Sequence, residues 1–281
     1  MVVLWFIDKL NLQIKFMKNP IIQGIITILL FFGSWYALTQ IDWIKIFKVQ
    51  QLTDKTEQKL GELFWEVFKK SEKEIKNTHV VNSIDSIVTQ ICKENKIDKR
   101  KLKIHILEKG DINAFALPNG HLIIYIGLIL NSDNQEELTG VICHEIGHIE
   151  LNHVMKKLLT EIGLSVLISM TTGNSGTEVI KETAKMLSSS AFGRSIEKEA
   201  DIKAVDYMIN ANVNPAPFAN FLYKLSDGEH EAKKYLTWIS THPDSKDRAE
   251  YIIEYSKGKK TDHKPILSQQ TWDKLIYELN D

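Results

Sequence analysis

Cysteine is scarce: the 281 residues include two, Cys92 and Cys143. Neither falls in a Cys-x-x-Cys or other thiolate-metal spacing, which excludes a cysteine-based metal module and a disulfide-built scaffold. Glycine and proline number only 14 and 6, too few for the many tight turns of an all-β architecture, so helix is expected to dominate. No charge of one sign prevails, since 35 basic residues face 36 acidic ones for a net charge of -1. Without a basic field to attract a polyanion, nucleic acid is not expected as a partner. Arginine does not occur before Arg100, which argues against an Arg-rich transit peptide.

What is present is an ordinary globular composition, 43% hydrophobic and 25% charged, in a length that allows one medium domain or two small ones. Charge is absent from the 23 residues between Lys18 and Asp42. About 20 helical residues cross a ~30 Å hydrocarbon core, so a single transmembrane helix is expected over about 20–40, with Trp35, Tyr36 and Trp43 at its end. The apolar VVLWFI in the preceding leader and the lack of a small-x-small site after Phe32 speak against a cleaved signal peptide. Lys9, Lys15 and Lys18 precede the span and Lys45, Lys48, Lys55 and Lys59 follow it, so lysine counting does not set its orientation.

Apolar residues at Leu60, Leu63, Phe64, Val67 and Phe68, then at Ile84, Ile87, Val88 and Ile91, follow helical spacing and predict a helical pair. The period changes to two over Leu102–Leu107, which reads as a strand. Ile112–Leu117 and His121–Ile126 flank Pro118-Asn119-Gly120, where Asn-Gly marks a hairpin. A small antiparallel sheet is expected, with Leu122–Ile126 as an exposed edge that an extended substrate could join. His105 and His121, at alternate strand positions, read as surface or structural residues. Asp133, Asn134, Glu136 and Glu137 then resemble a capping box opening a helix.

That helix carries His144-Glu145-Ile146-Gly147-His148. Residues four apart share a helix face, so His144 and His148 can each aim an imidazole nitrogen at one ion, and Glu145 can take a proton from water as general base. Zinc suits two imidazoles, a carboxylate and an open fourth position. Downstream, Glu197 and Asp201 are again four apart; Glu197 can supply the third ligand while Asp201 accepts the free ring N–H of a ligand histidine. His153, five residues after His148, would lie about 140° round a continuous helix and is not expected to be a ligand.

His144–His148, the Glu-x-x-Ala-Asp of Glu197–Asp201, Thr241-His242-Pro243 with Arg248, and the Asn-Ala-Phe-Ala-Leu-Pro of 113–118 together resemble the membrane-associated gluzincin peptidases, which include HtpX-like, BepA-like and CaaX prenyl protease members. The resemblance covers roughly 80–256. It implies an α+β, mainly α-helical fold, with a zincin-like peptidase domain and one Zn2+ per chain. It further implies that His242 faces the zinc as a catalytic stabiliser or occupies the water position, and that Arg248 supports the site. The expected organisation is a tail and anchor over 1–42, a helical linker over 43–98, a metallopeptidase domain over 99–257 and a C-terminal tail over 258–281. The expected function is zinc-dependent cleavage of internal peptide bonds in unfolded or misfolded envelope or membrane proteins. A zinc-holding chaperone with little proteolysis is the alternative. A single-pass protein of the bacterial inner membrane, its peptidase domain in the periplasm, is the expected setting.

Overall fold

The computed structural model describes residues 20–40, 49–226, 232–259 and 263–280. The chain divides into two compact units, 1–54 and 55–281. In the first, Pro20–Gln40 forms helix α1, along which Ile25, Leu29, Phe32 and Tyr36 are exposed. Among the described residues no helix is long and apolar enough to cross a membrane, so the single span remains an expectation. Trp43 and the lysines at 9, 15, 18, 45 and 48 lie outside the described residues.

The second unit is helical around one small sheet. Helix α2 (Val49–Ser71), which belongs to this unit from Lys55 onward, and α3 (Thr78–Glu94) lead into strands β1 (Lys103–Leu107), β2 (Ala114–Leu117) and β3 (His121–Tyr125). There follow α4 (Ile126–Leu130), α5 (Gln135–Glu150), α6 (His153–Glu161), α7 (Leu164–Thr172), α8 (Thr177–Ser189), α9 (Arg194–Asn210), α10 (Ala216–Ser226), α11 (Ala232–Thr241), α12 (Ser245–Ser256) and α13 (Gln269–Asn280). Residues beyond 258, expected as a tail, thus include a helix that buries Trp272 and Leu275 in the same core as α3.

The sheet corrects the expectation of a purely antiparallel arrangement. The order is β1-β3-β2. β2 and β3 form the antiparallel hairpin, with Ala116 opposite Leu122, while β1 runs parallel to β3, with Ile104 opposite Leu122. Asn119 (φ 61°) and Gly120 (φ 71°) make the left-handed pair that a tight hairpin demands. A Cβ on Gly120 would lie 1.9 Å from the Lys101 carbonyl, so the turn also needs a residue without a side chain. Because β3 is central, Leu122–Tyr125 is not an exposed edge: both of its hydrogen-bonding sides are occupied and all its residues are buried.

The sheet separates two apolar clusters. Ile106, Ala114, Leu122 and Ile124 face α3, α5, α9 and α10, whereas Leu107, Phe115, Leu117, Ile123 and Tyr125 face α2, α6, α7 and α8. The alternation follows the two-residue period of a strand, and a sheet buried on both faces needs apolar side chains at both parities. His121, placed at the surface or in a structural role by its pattern, is buried: it stacks in line with His105 and Trp65 beneath α2.

Candidate metal centre

Helix α5 begins with the expected capping box. The Asn134 side chain accepts the Glu137 N–H at 2.9 Å, and Glu137 reaches back to accept the Asp133 N–H at 2.9 Å. The helix is then buried almost to its end, and its glycines set the distance to its neighbours. A Cβ on Gly147 would stand 3.1 Å from the Ala200 carbonyl, and one on Gly140 would stand 2.4 Å from the Phe218 Cβ. Close approach of α9 to α5 at Gly147 carries Glu197 and Asp201 to the two histidines.

His144, His148, Glu197 and His242 each offer one donor atom, and these atoms lie within 4.8 Å of one another. The Nε2 atoms of His144 and His148 are 3.0 Å apart. Glu197 sits 3.5 Å from each of them through its two oxygens. His242 Nδ1 is 3.3 Å from His144 Nε2 and 3.1 Å from Glu197 Oε2. All four residues, and Glu145 with them, are at most 2% exposed. Glu145 lies one step round α5, its Oε1 3.5 Å from His242 Nε2; both of these atoms are buried without a hydrogen-bond partner.

Around this cluster the structure places the expected supporting pair and residues the pattern did not mark. Asp201 Oδ1 is 2.8 Å from His144 Nδ1; a carboxylate only accepts, so that nitrogen carries the ring proton and Nε2 is left as a bare lone pair. Arg248 donates to both Asp201 oxygens, from Nε at 2.8 Å and Nη2 at 2.7 Å, and its Nη1 lies 2.7 Å from Glu197. Tyr251, one turn further along α12, donates to Asp201 as well. Trp238 stacks on the His242 ring at 4.2 Å and Phe192 on His148 at 4.3 Å. The first lies four residues before His242, a spacing that a helical reading of 232–241 exposes; the second sits in the loop before α9, where periodicity gives no signal.

The electrostatics favour a cation. Burial pushes His148 down to about 3 and His242 down to about 4, so both rings are neutral near pH 7. Burial also works against an ionised Glu197, yet its polar neighbours His242 and Arg248 hold its carboxyl well below the usual range. With His242 neutral, the permanent guanidinium is the counter-charge that matters. Burial, then the charge of Glu197, pushes Glu145 well above its usual value. Inward-facing lone pairs therefore outnumber the protons available to separate them, and the imidazole–carboxylate donor set is the one zinc takes. The residues fit the ion that the motif implies.

The model of peptidase family M48 matches residues 79–256. The mitochondrial metalloendopeptidase OMA1 of Bos taurus is 29% identical over 163 residues, which are 53% of this chain and 31% of that protein. The metalloprotease LoiP of Escherichia coli (strain K12) is 28% identical over 165 residues, 56% of this chain and 64% of that protein. The Beta-barrel assembly-enhancing protease of the same strain is 22% identical over 232 residues, 77% of this chain and 46% of that protein. The match thus spans between about a third and two thirds of the length of these relatives.

Proposed function

Because this chain belongs to peptidase family M48, we propose that it is a zinc-dependent endopeptidase that hydrolyses internal peptide bonds of unfolded or misfolded proteins. The observation that carries the reading is the convergence of His144, His148 and Glu197 on one point, with Glu145 beside it. In this reading those three residues hold one zinc ion per chain. A zinc ion bound there supplies Lewis acidity, acidifying water and polarising the scissile carbonyl. Glu145 Oε1, which has no partner of its own, accepts the proton of the attacking water and returns it to the leaving nitrogen. Asp201 and Arg248 keep His144 in the tautomer that presents Nε2 and keep Glu197 ionised. His242 is the one donor carried by neither α5 nor α9. Were all four donors to hold an ion together, water would find no position on it; His242 would be the residue to give way, and its ring would then be placed to donate to the oxyanion.

The sheet order bears on where a substrate would run in this reading. β2 is the outer strand of the sheet on the side of Glu145, and all four of its residues are buried, while the Ala116 backbone amide works to lower the Glu145 carboxyl. Once the side chains covering β2 move aside, an extended chain pairing along it would bring its own carbonyls past Glu145 through backbone hydrogen bonds that read little sequence. This supports broad action on unfolded chains. Attachment to a bacterial inner membrane through the stretch over about 20–40 is part of the proposal, supported by that stretch's lack of charge and not by α1 as a span, and so is the placing of the peptidase domain on the periplasmic side.

The test is Glu145→Gln. The variant keeps one zinc per chain by metal analysis and stops cleaving an unfolded protein such as casein, whereas undiminished cleavage refutes the role given to Glu145. One observation favours a second reading, a zinc-holding chaperone: the whole cluster is closed from solvent and His242 stands at the fourth position. Wild-type protein that holds zinc and binds casein without cutting it decides for that reading.

A further inference from the structure

The second metal-facing histidine has a support of a different kind from the first. His144 leans on a buried carboxylate, Asp201, whereas the nitrogen of His148 turned away from the cluster, Nδ1, lies 3.0 Å from His153 Nδ1. His153 is 1% exposed, and its other nitrogen, Nε2, is buried without a hydrogen-bond partner, with the Glu199 carboxylate as its near charged neighbour at 3.4 Å. Local backbone makes this contact possible. Helix α5 ends at Glu150, Asn152 adopts left-handed angles (φ 57°, ψ 33°), and α6 starts at His153. The break folds residue 153 back onto residue 148, which an unbroken helix would not allow.

One proton lies between the two Nδ1 atoms, and where it resides decides what His148 presents. If it is on His153, then His148 must carry its own proton on Nε2 and cannot donate a lone pair to a metal. If it is on His148, then Nε2 is bare, and His153 carries its proton on Nε2, toward Glu199. A carboxylate accepts and never donates, so the charge of Glu199 favours a proton on His153 Nε2, and a metal on His148 Nε2 requires the same arrangement. The structure assigns His153 as a positioning residue whose Nδ1 accepts the ring proton of His148, with Glu199 fixing its tautomer, so that zinc affinity depends on a residue that does not touch the metal. This rests on the zinc reading proposed above.

The experiment measures zinc affinity of the full chain by competition with a chromophoric chelator. The asparagine Oδ1 occupies nearly the same place as the histidine Nδ1 and only accepts there, so His153→Asn stays within about threefold of wild type, while His153→Leu binds zinc roughly 10–100-fold more weakly. Glu199→Gln, at a side chain 61% exposed, leaves the fold intact and weakens binding a few-fold. In the His153→Asn background that loss disappears, because asparagine has no tautomer to select, whereas a long-range charge effect would persist. Wild-type protein that binds no zinc overturns the metal reading itself. Wild-type affinity in His153→Leu, an equal fall in His153→Asn, or a Glu199→Gln effect that survives in the His153→Asn background overturns this proposal alone.

Discussion

Replacing Arg248 by methionine tests the electrostatic frame of the site without touching a metal donor. Arg248 is 2% exposed and is the guanidinium in contact with both Asp201 and Glu197. Methionine fills much of the same volume but leaves two buried carboxylates without their counter-charge. Removing one member of a buried ion pair costs about 3–5 kcal/mol, because the remaining charge is uncompensated. In a unit of this size about 1 kcal/mol shifts the melting temperature by roughly 2–4 °C, so metal-free Arg248→Met should melt about 6–20 °C below wild type at pH 7.

The pH dependence gives the prediction its sign. In the wild type burial opposes an ionised Asp201, but the charge of Arg248 and the hydrogen bonds from His144 and Arg248 depress its carboxyl below the unfolded value. It therefore contributes stability that is present above the unfolded pKa and is lost only as pH falls through the folded one. In the variant the same carboxyls rise above their unfolded values, so protonation relieves the strain as pH falls. The gap between the two proteins is widest near pH 7 and narrows toward pH 4. Denaturant melts in chelator at pH 7, 5.5 and 4 measure it. A gap under about 1 kcal/mol at pH 7, or one that stays constant with pH, refutes the argument that Arg248 compensates buried charge.

Two further outcomes follow from packing and titration. Gly140→Ala gains roughly 1 kcal/mol of helix propensity, but the added Cβ would meet the Phe218 Cβ at 2.4 Å and the base of its ring at 2.5 Å. Overpacking of about 1–3 kcal/mol wins, so the variant melts below wild type; a rise in melting temperature refutes the close approach of α5 and α10. Burial first, then the charge of Lys103, pushes His121 down to about 4 against ~6.5 when unfolded, so its share of stability is complete above pH 6.5 and is lost as pH falls toward 4. Each pH unit costs about 1.4 kcal/mol in that window. His121→Asn therefore flattens the pH dependence of urea stability between pH 6.5 and 4, and an unchanged slope refutes a neutral buried ring.

How much of this was legible in the sequence depends on whether a feature is a face, an edge or a meeting. Faces are legible: the apolar period of α5, the alternation in β1 and the i, i+4 pairs at 144/148 and 197/201 all depend on local geometry alone. Edges are not. Side-chain pattern reports which face of a strand is buried and is silent about which neighbour takes its backbone hydrogen bonds. Chain order suggests a meander, yet β1 passes over the hairpin's first strand to pair with β3. That single topological fact puts 122–126 in the middle of the sheet and makes β2 an outer strand. The meeting of α5 and α9 is intermediate. Neither spacing brings Glu197 to His144, but Gly147 marks where α5 admits a close neighbour, and the Ala200 carbonyl is what it admits.

His153 shows the same limit at the scale of one residue. Counting along an ideal helix sets it about 140° away from His148, and by that arithmetic it faces elsewhere. The arithmetic fails because Leu151 caps α5 and Asn152 turns left-handed, a conformation that asparagine enters more readily than most residues. A single asparagine between two helical patterns is a weak sign of a break, and nothing else in 149–156 announces one. Once the break is granted, residues 148 and 153 belong to different helices and their spacing carries no angular meaning. The consequence is physical: the support of one metal-facing imidazole depends on a backbone dihedral. Asn152→Gly, which keeps the left-handed turn, should retain zinc affinity, whereas Asn152→Val, which resists it, should weaken zinc binding in step with His153→Leu. Equal affinity in the two Asn152 variants would show that the turn does not set the contact.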